Sequence, residues 1–329
     1  MPGNIHGTSL SMYSSMMLMA LVIDGMFGWP QGLYIRFGHP VSWVGRLISR
    51  LDRLLNRNSC SESFRRTTGC LCLLFILSIV LVPAVLIQVK LPETVDGLLL
   101  GAVLSWPMIA ARSLHQHVSA VLDALSLDNP QHARESVAQI VGRDTSVLDE
   151  QGISRAALES LAENTSDGIV APIFWGTIFG LPGLFAYKAV NTLDSMIGHR
   201  NQKYASFGWA SAVLDDAMNY FPARLTGLLM AVVSSQPRAA LRCMMNDARC
   251  HRSPNAGWPE SSLAGALEIR LSGPRIYGSF VDKQPWLNKS APDPDAKTIQ
   301  LGLSLYNKVL VAVGFILAVM SLMALALNQ

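Results

Sequence analysis

Long apolar runs, separated by polar stretches rich in arginine, organise this chain. The clearest is residues 70–89, CLCLLFILSIVLVPAVLIQV, interrupted only by Pro83. About twenty apolar residues suffice to cross a bilayer. Shorter or interrupted runs occupy residues 11–27, which include Asp24, and residues 98–111. Residues 169–190 are broken by Gly-Leu-Pro-Gly at 180–183, residues 207–233 by LDD and YFP, and residues 305–327 are uninterrupted. The pattern predicts an all-α, polytopic helical membrane protein with broken or re-entrant helices, built as one integral membrane domain over 1–329. Polar loops are expected at about 46–66, 112–168, 191–206 and 237–304. Within the second loop, Asn129-Pro130 and Ser154 read as helix starts.

Charge then orients the segments. Arg46, Arg50, Arg53, Arg57, Arg65 and Arg66 follow the first apolar run. An excess of Lys and Arg marks cytoplasmic loops. Residues 70–89 and 98–111 form a return pair, so 112–168 shares that side. Arg238, Arg242, Arg249, Arg252, Arg270, Arg275 and Lys283 place 237–304 there as well. Residues on both sides of 169–190 can then be cytoplasmic only if the chain turns back, and Gly-Leu-Pro-Gly suits a hairpin. The same logic makes 207–233 a re-entrant pair broken at Phe221-Pro222, or an interfacial helix.

Composition agrees: 50% hydrophobic and 15% charged residues, against about a quarter charged in soluble domains. The net charge of +3 comes without a basic tail or an aromatic-basic ladder, so no nucleic-acid partner is expected. Cys60, Cys70, Cys72, Cys243 and Cys250 form no CxxC pair, which supports neither a zinc site nor a disulfide framework.

Four polar clusters interrupt this background. In LAENTSDG, Glu163 and Asp167 are four residues apart and share a helix face. They suit a divalent cation with Asn164 as a neutral ligand; ordinary helix capping explains the same residues equally well. In YKAVNTLDSMIGHRNQKY, Lys188, Asn191 and Asp194 recur at three-residue spacing, followed by His199, Arg200 and Lys203. Ionisable residues at the end of an apolar segment are functional candidates. In AVLDDAMNYFPARL, Asp215, Asp216 and Asn219 need a cavity, a metal or a cation such as Arg224; salt bridges inside a helix bundle are the structural alternative. In DARCHRSPNAGWPE, Asp247 and His251 are four apart, Arg252 and Asn255 follow, and Glu260 opens a small-residue helix that precedes Arg275. Two prolines and a glycine hold RSPNAGWPE as a fixed loop. No GxxxxGK[ST] or strand-borne GxGxxG is present, so neither a Walker loop nor a Rossmann site is supported. Acids with cations in one site suit metal-assisted chemistry on an anionic substrate. A transporter or carrier of a corrinoid or other anion would use the same residue types.

FGHPVSWVGRLI (37–48), LAENTSDGIVAPIFW (161–175), YKAVNTLDSMIGHRNQKY (187–204), FGWASAVLDDAMNYFPARL (207–225) and DARCHRSPNAGWPESSLAGALEIRLSGPRIYG (247–278) resemble, in order, the motifs of the cobalamin biosynthesis CobD/CbiB family, the adenosylcobinamide-phosphate synthases. The resemblance covers nearly the whole chain. It implies a multi-pass enzyme of the bacterial inner membrane with a site facing the cytoplasm. The implied reaction joins adenosylcobyric acid to aminopropanol or its O-phosphate through an amide, with ATP as co-substrate and Mg²⁺. Contacts with other membrane-bound enzymes of corrin synthesis are expected partners, beside the lipid bilayer.

On that reading Glu163, Asp167, Asp215 and Asp216 are expected to hold Mg²⁺. Lys188, His199, Arg200, Arg252 and Arg275 are expected to face phosphates, and His251, oriented by Asp247, to act as base. Asn164, Asn191, Asp194, Asn219, Asn255 and Glu260 are expected to bind substrate groups. Three departures stand out. Many relatives have Gly-Asp-Pro where this chain has Gly28-Trp29-Pro30, and glycine is common in place of both Glu268 and Asn288.

Overall fold

The computed structural model describes residues 5–57, 59–199, 201–277, 280–282 and 284–326, with backbone alone at 5–9, 275–277 and 280–282. Thirteen α-helices are described: α1 (Ile5–Phe27), α2 (Gln31–Phe37), α3 (Pro40–Leu55), α4 (Glu62–Lys90), α5 (Val95–Ser105), α6 (Ala111–Ser126), α7 (Pro130–Ala138), α8 (Glu150–Thr165), α9 (Ala171–Ile197), α10 (Trp209–Val233), α11 (Pro237–Asp247), α12 (Gly257–Leu267) and α13 (Ala296–Ala326). The only described strands are four short ones: β1 (Leu271–Ser272) pairs with β4 (Trp286–Leu287), and β2 (Arg275–Tyr277) with β3 (Phe280–Asp282), both antiparallel. These ribbons have no counterpart in the apolar pattern.

The chain is thus an all-α polytopic membrane protein. Among the described residues, five helical stretches are long and apolar enough to span: Leu10–Phe27, Glu62–Lys90, Val95–Ser126, Glu150–Ile197 and Ala296–Ala326. Segment 207–233 is not among them. Its helix α10 runs through Pro222 rather than breaking at Phe221-Pro222, so of the two expected forms, a re-entrant pair or an interfacial helix, the broken pair is not observed. The expected segment 98–111 is part of a longer stretch, in which a 3₁₀ turn at Trp106–Met108 joins α5 to α6. Asn129 caps α7 as its sequence suggests, accepting from His132 N at 3.1 Å. α8, however, starts earlier than Ser154, because Asp149 provides the stronger cap and accepts from Gly152 N at 2.7 Å.

Gly180 breaks α9. Its φ of 66° and ψ of −146° suit glycine alone. A Cβ at Gly183 would collide with the Trp175 carbonyl oxygen, so the chain folds back here, as the Gly-Leu-Pro-Gly chemistry suggests. Backbone donors without water must be satisfied internally at membrane depth. Gln88 Oε1 of α4 does this for the second arm, accepting from Leu181 N at 3.0 Å.

The contacts gather into two compact units. One comprises Met1–Ala110, Ala171–Asn219 and Gly314–Gln329, the other Ala111–Val170 and Tyr220–Val313. In the first, Ile48, Cys72, Leu73, Ile76, Val190, Leu193, Ile197 and Phe207 form a buried cluster that joins α3, α4 and α9. Buried Asp52 anchors the loop after α9: Lys203 Nζ donates to it at 2.9 Å and Asn56 Nδ2 at 2.8 Å. The Lys203 ammonium is held above its ordinary pKa by its hydrogen bonds to Tyr204 and Asp52. In the second unit, α11 and α12 pack closely, and Met244, Ala248 and Trp258 share a buried cluster.

Candidate functional site

The second unit holds a cavity of about 320 Å³ lined by Tyr220, Arg224, Ala248, Arg249, His251, Ser253, Pro254 and Trp258. Local sequence builds each wall. Tyr220 and Arg224 are one helical turn apart on α10, and Arg224 Nη1 donates to Tyr220 O at 2.6 Å. After α11 the chain tightens into a 3₁₀ turn, Ala248–Cys250, and becomes extended at His251. Ser253 Oγ then accepts from Asn255 N at 3.2 Å and Ala256 N at 3.1 Å, which closes the turn into α12. Gly257 cannot carry a side chain, because a Cβ there would strike Ala248 O and His251 Cβ. Pro259 falls in the first turn, where its missing N–H costs nothing. The helix therefore opens at Gly257, three residues before the expected Glu260.

This loop places Trp258 and Asn255 around the guanidinium. Arg224 Cζ lies 3.5 Å from the Tyr220 ring centroid and 4.4 Å from that of Trp258. Its Nη1 also reaches Asn255 Oδ1 at 3.4 Å. A stacked guanidinium keeps its outer edge for a planar pair of acceptors. Arg249 is a second cation on the wall.

His251 faces a carboxylate, but that carboxylate is Glu260 and not Asp247. Nε2 lies 3.6 Å from Glu260 Oε2, with side-chain exposures of 8% and 2%. Ser253 N donates to Nδ1 at 3.1 Å, which puts the proton of the neutral ring on Nε2. Asp247 instead accepts from Asn288 N at 2.7 Å and from the Cys243 thiol at 3.5 Å. Burial, reinforced by Asp247, pushes that thiol up to about 12, so Cys243 stays protonated. Arg252 is exposed and Asn255 buried.

Glu163, Asn164 and Asp167 lie in the same unit. They are not at a helix start: α8 continues to Thr165 and passes into a π-helical turn at Ser166–Val170. That excludes capping as their explanation, and single π turns recur at functional sites. Asn164 Nδ2 donates to Ser160 O at 2.9 Å, Glu163 is exposed and Asp167 half-buried.

The remaining candidates belong to the first unit. Tyr187 Oη donates to Asn219 Oδ1 at 2.8 Å, Asn219 Nδ2 to Asp215 Oδ2 at 3.0 Å, and Asn191 Nδ2 to Asp215 Oδ1 at 3.4 Å. Both Asp215 oxygens thus accept amide protons, and Tyr187 is fully buried. Lys188, Asp194 and Asp216 are half-buried and His199 exposed. Arg200 lies outside the described residues, as does the side chain of Arg275. The four acids expected to hold Mg²⁺ are divided between the units. Among the described residues no group of three or more His, Cys, Asp or Glu could hold a metal.

Spacing alone does not single out His39. It caps α3, accepting from Val41 N at Nδ1 over 3.2 Å. Burial, and then the charge of Lys188, lower its pKa. Trp29 meets its ring edge-on at 5.0 Å, so the residue at the first of the three departures contacts this imidazole. The available signal was the FGHP motif itself.

A family model described as CobD/Cbib protein matches residues 17–306. A cobalamin biosynthesis protein CobD of Rhodobacter capsulatus is 50% identical over 311 residues, covering 94% of this chain and 98% of that protein. The Brucella suis protein of the same name is 45% identical over 296 residues, covering 88% and 90%. That of Sinorhizobium sp is 43% identical over 311 residues, covering 92% and 96%. No solved structure matches.

Proposed function

This chain belongs to the CobD/CbiB protein family of cobalamin biosynthesis, and from that premise we propose that it is the ligase that amidates adenosylcobyric acid. The amine is aminopropanol or its O-phosphate, and the product is adenosylcobinamide or its phosphate. A carboxylate is a poor acyl donor at neutral pH. In the proposed first step the substrate carboxylate oxygen attacks the γ-phosphorus of ATP, ADP leaves, and an acyl phosphate forms. The amine then attacks the acyl carbon, inorganic phosphate leaves, and one ammonium proton passes to the protein. Fixed cations and donors stabilise the charge that develops on phosphoryl and acyl oxygens.

The observation that carries this reading is the cationic cavity around Arg224. At about 320 Å³ it suits a small ligand rather than a corrin macrocycle, since drug-sized ligands already occupy roughly 300–1,000 Å³. The free edge of Arg224, with Arg249 beside it, would take the phosphate of the small amine. The buried His251–Glu260 pair would accept the ammonium proton. Mg²⁺ is held through one or two carboxylates plus substrate phosphates, so each acid pair, Glu163 with Asp167 or Asp215 with Asp216, offers what a nucleotide-bound ion needs. The ion would neutralise phosphate charge. Lys188, Asn191 and Asn219 remain proposed contacts for substrate amides or phosphates.

Purified protein supplied with adenosylcobyric acid, aminopropanol phosphate, ATP and Mg²⁺ should yield the amide by mass spectrometry, with one phosphate released per product. Product formed equally well without ATP, or none under any nucleotide, removes the assignment. We further propose an inner-membrane location with this cavity facing the cytoplasm. Cys250, exposed beside it, should react with a membrane-impermeant maleimide in inverted vesicles and not in intact spheroplasts. The opposite pattern reverses the orientation.

A further inference from the structure

The chain between residues 25 and 61 holds Arg36, Arg46, Arg50, Arg53 and Arg57 against one acid, Asp52. That acid is 8% exposed and already bound by Lys203 and Asn56. On a 3.6-residue period Arg46, Arg50 and Arg53 fall within about 60° of one another along α3, and Arg57 follows two residues past its end. All four are exposed, and among the described residues none of their side chains makes an ion pair or hydrogen bond. The opposite face is fixed, since Ile48 is fully buried with Val44, Leu47, Leu51 and Leu55 packed around it. The arginines therefore cannot rotate inward.

Depth identifies what they meet. Ile48 shares its cluster with Cys72, Leu73 and Ile76, which open the apolar run of α4. Arg46 and Arg50 stand within one turn of Ile48, so they lie at the level where that span passes from polar to apolar surroundings. Leu71, Leu74 and Phe75 are 57%, 58% and 49% exposed at the same level, and Trp43, bordering the stripe, is 48% exposed. Trp at such a border is characteristic of the membrane interface.

We propose that this face of α3 binds anionic phospholipid, with headgroup phosphates on Arg46, Arg50 and the outer Arg53 and Arg57, and acyl chains along α4. Charge complementarity selects the partner. Lys and Arg near an anionic surface are drawn to it, and among the described residues no acid pairs with these four. The contact does not depend on the amidation reaction.

The test uses the full chain, reconstituted in nanodiscs of phosphatidylcholine with a phosphatidylglycerol fraction, then released and weighed with its bound lipid by native mass spectrometry. Wild type should retain phosphatidylglycerol above its bulk share. R46Q/R50Q/R53Q/R57Q should lower that enrichment about tenfold or more, while the matching lysine variant keeps most of it. Circular dichroism reports folding. Should the glutamine variant not fold, wild-type enrichment must still fall between about 0.05 and about 0.5 M salt. Enrichment that is absent in wild type, unchanged in the folded glutamine variant or insensitive to salt overturns the proposal. So does protection of these arginines by ATP in place of lipid, which would assign the stripe to the nucleotide.

Discussion

Replacing Arg224 with glutamine isolates the anion edge of the cavity. One guanidinium nitrogen is spent on Tyr220 O at 2.6 Å and Asn255 Oδ1 at 3.4 Å, leaving one edge for a phosphate. A hydrogen bond to a charged group contributes about 1.5–3 kcal/mol, and one bidentate contact replaced by a neutral amide should lose about 2–3 kcal/mol. At about 1.4 kcal/mol per decade, kcat/KM for aminopropanol phosphate should fall about 30- to 150-fold. The unphosphorylated amine has no group on that edge, so its kcat/KM should change less than about threefold. The ratio between the two amines is the decisive quantity, because a general disturbance of folding would lower both. Arg224→Lys keeps the charge but loses the fork and the stacking on Tyr220 and Trp258, and should fall between the two. The assay is amide formation by mass spectrometry across both amines, with thermal melting of each variant in detergent. Equal losses for both amines, or an unchanged ratio, would refute the assignment of Arg224 to the phosphate.

Backbone geometry supplies further expectations. Gly180→Ala should destabilise the protein by roughly 1–3 kcal/mol or more, since φ there is 66° and a Cβ would press on Gln88 and Tyr13; an unshifted melting curve would argue against the fold-back. Glu268 and Asn288 adopt φ of 54° and 53°, yet glycine should act oppositely at the two. Glu268→Gly relieves a left-handed cap whose cost is roughly 1–2 kcal/mol and should be neutral or stabilising by up to about 1 kcal/mol, once glycine's extra backbone entropy is set against it. Asn288→Gly also deletes side-chain donors to Ala264 O and Ile269 O at 3.2 and 3.1 Å, and should destabilise by about 1–2 kcal/mol. Melting shifts of the same sign would contradict this reading.

Those two positions also show what was legible beforehand. The glycine that the resemblance leads one to expect at both is accounted for by their left-handed backbone. The fold-back at Gly180 could be read because glycine and proline determine backbone locally. The partner of His251 could not. Asp247 is four residues away, which makes neighbours only on a continuous helix, and the 3₁₀ turn at Ala248–Cys250 breaks that phase. Glu260 arrives from the next helix, through a loop whose closure depends on Ser253. The π turn at Ser166–Val170 leaves no mark in apolar periodicity, and the short ribbons at 271–287 are too brief to alternate visibly. Arg224 was identified only as a possible countercharge for Asp215 and Asp216. Its cage of Tyr220 and Trp258 depends on tertiary packing.

The fold-back at Gly180 has a bearing on compartment assignment. A segment that goes in and comes back contributes zero to the parity of crossings, although hydropathy scores it as one pass. Counting α9 as one traverse would invert the assigned side of everything after residue 197. A reporter fused near residue 204 and one fused ahead of residue 171 should therefore report the same compartment.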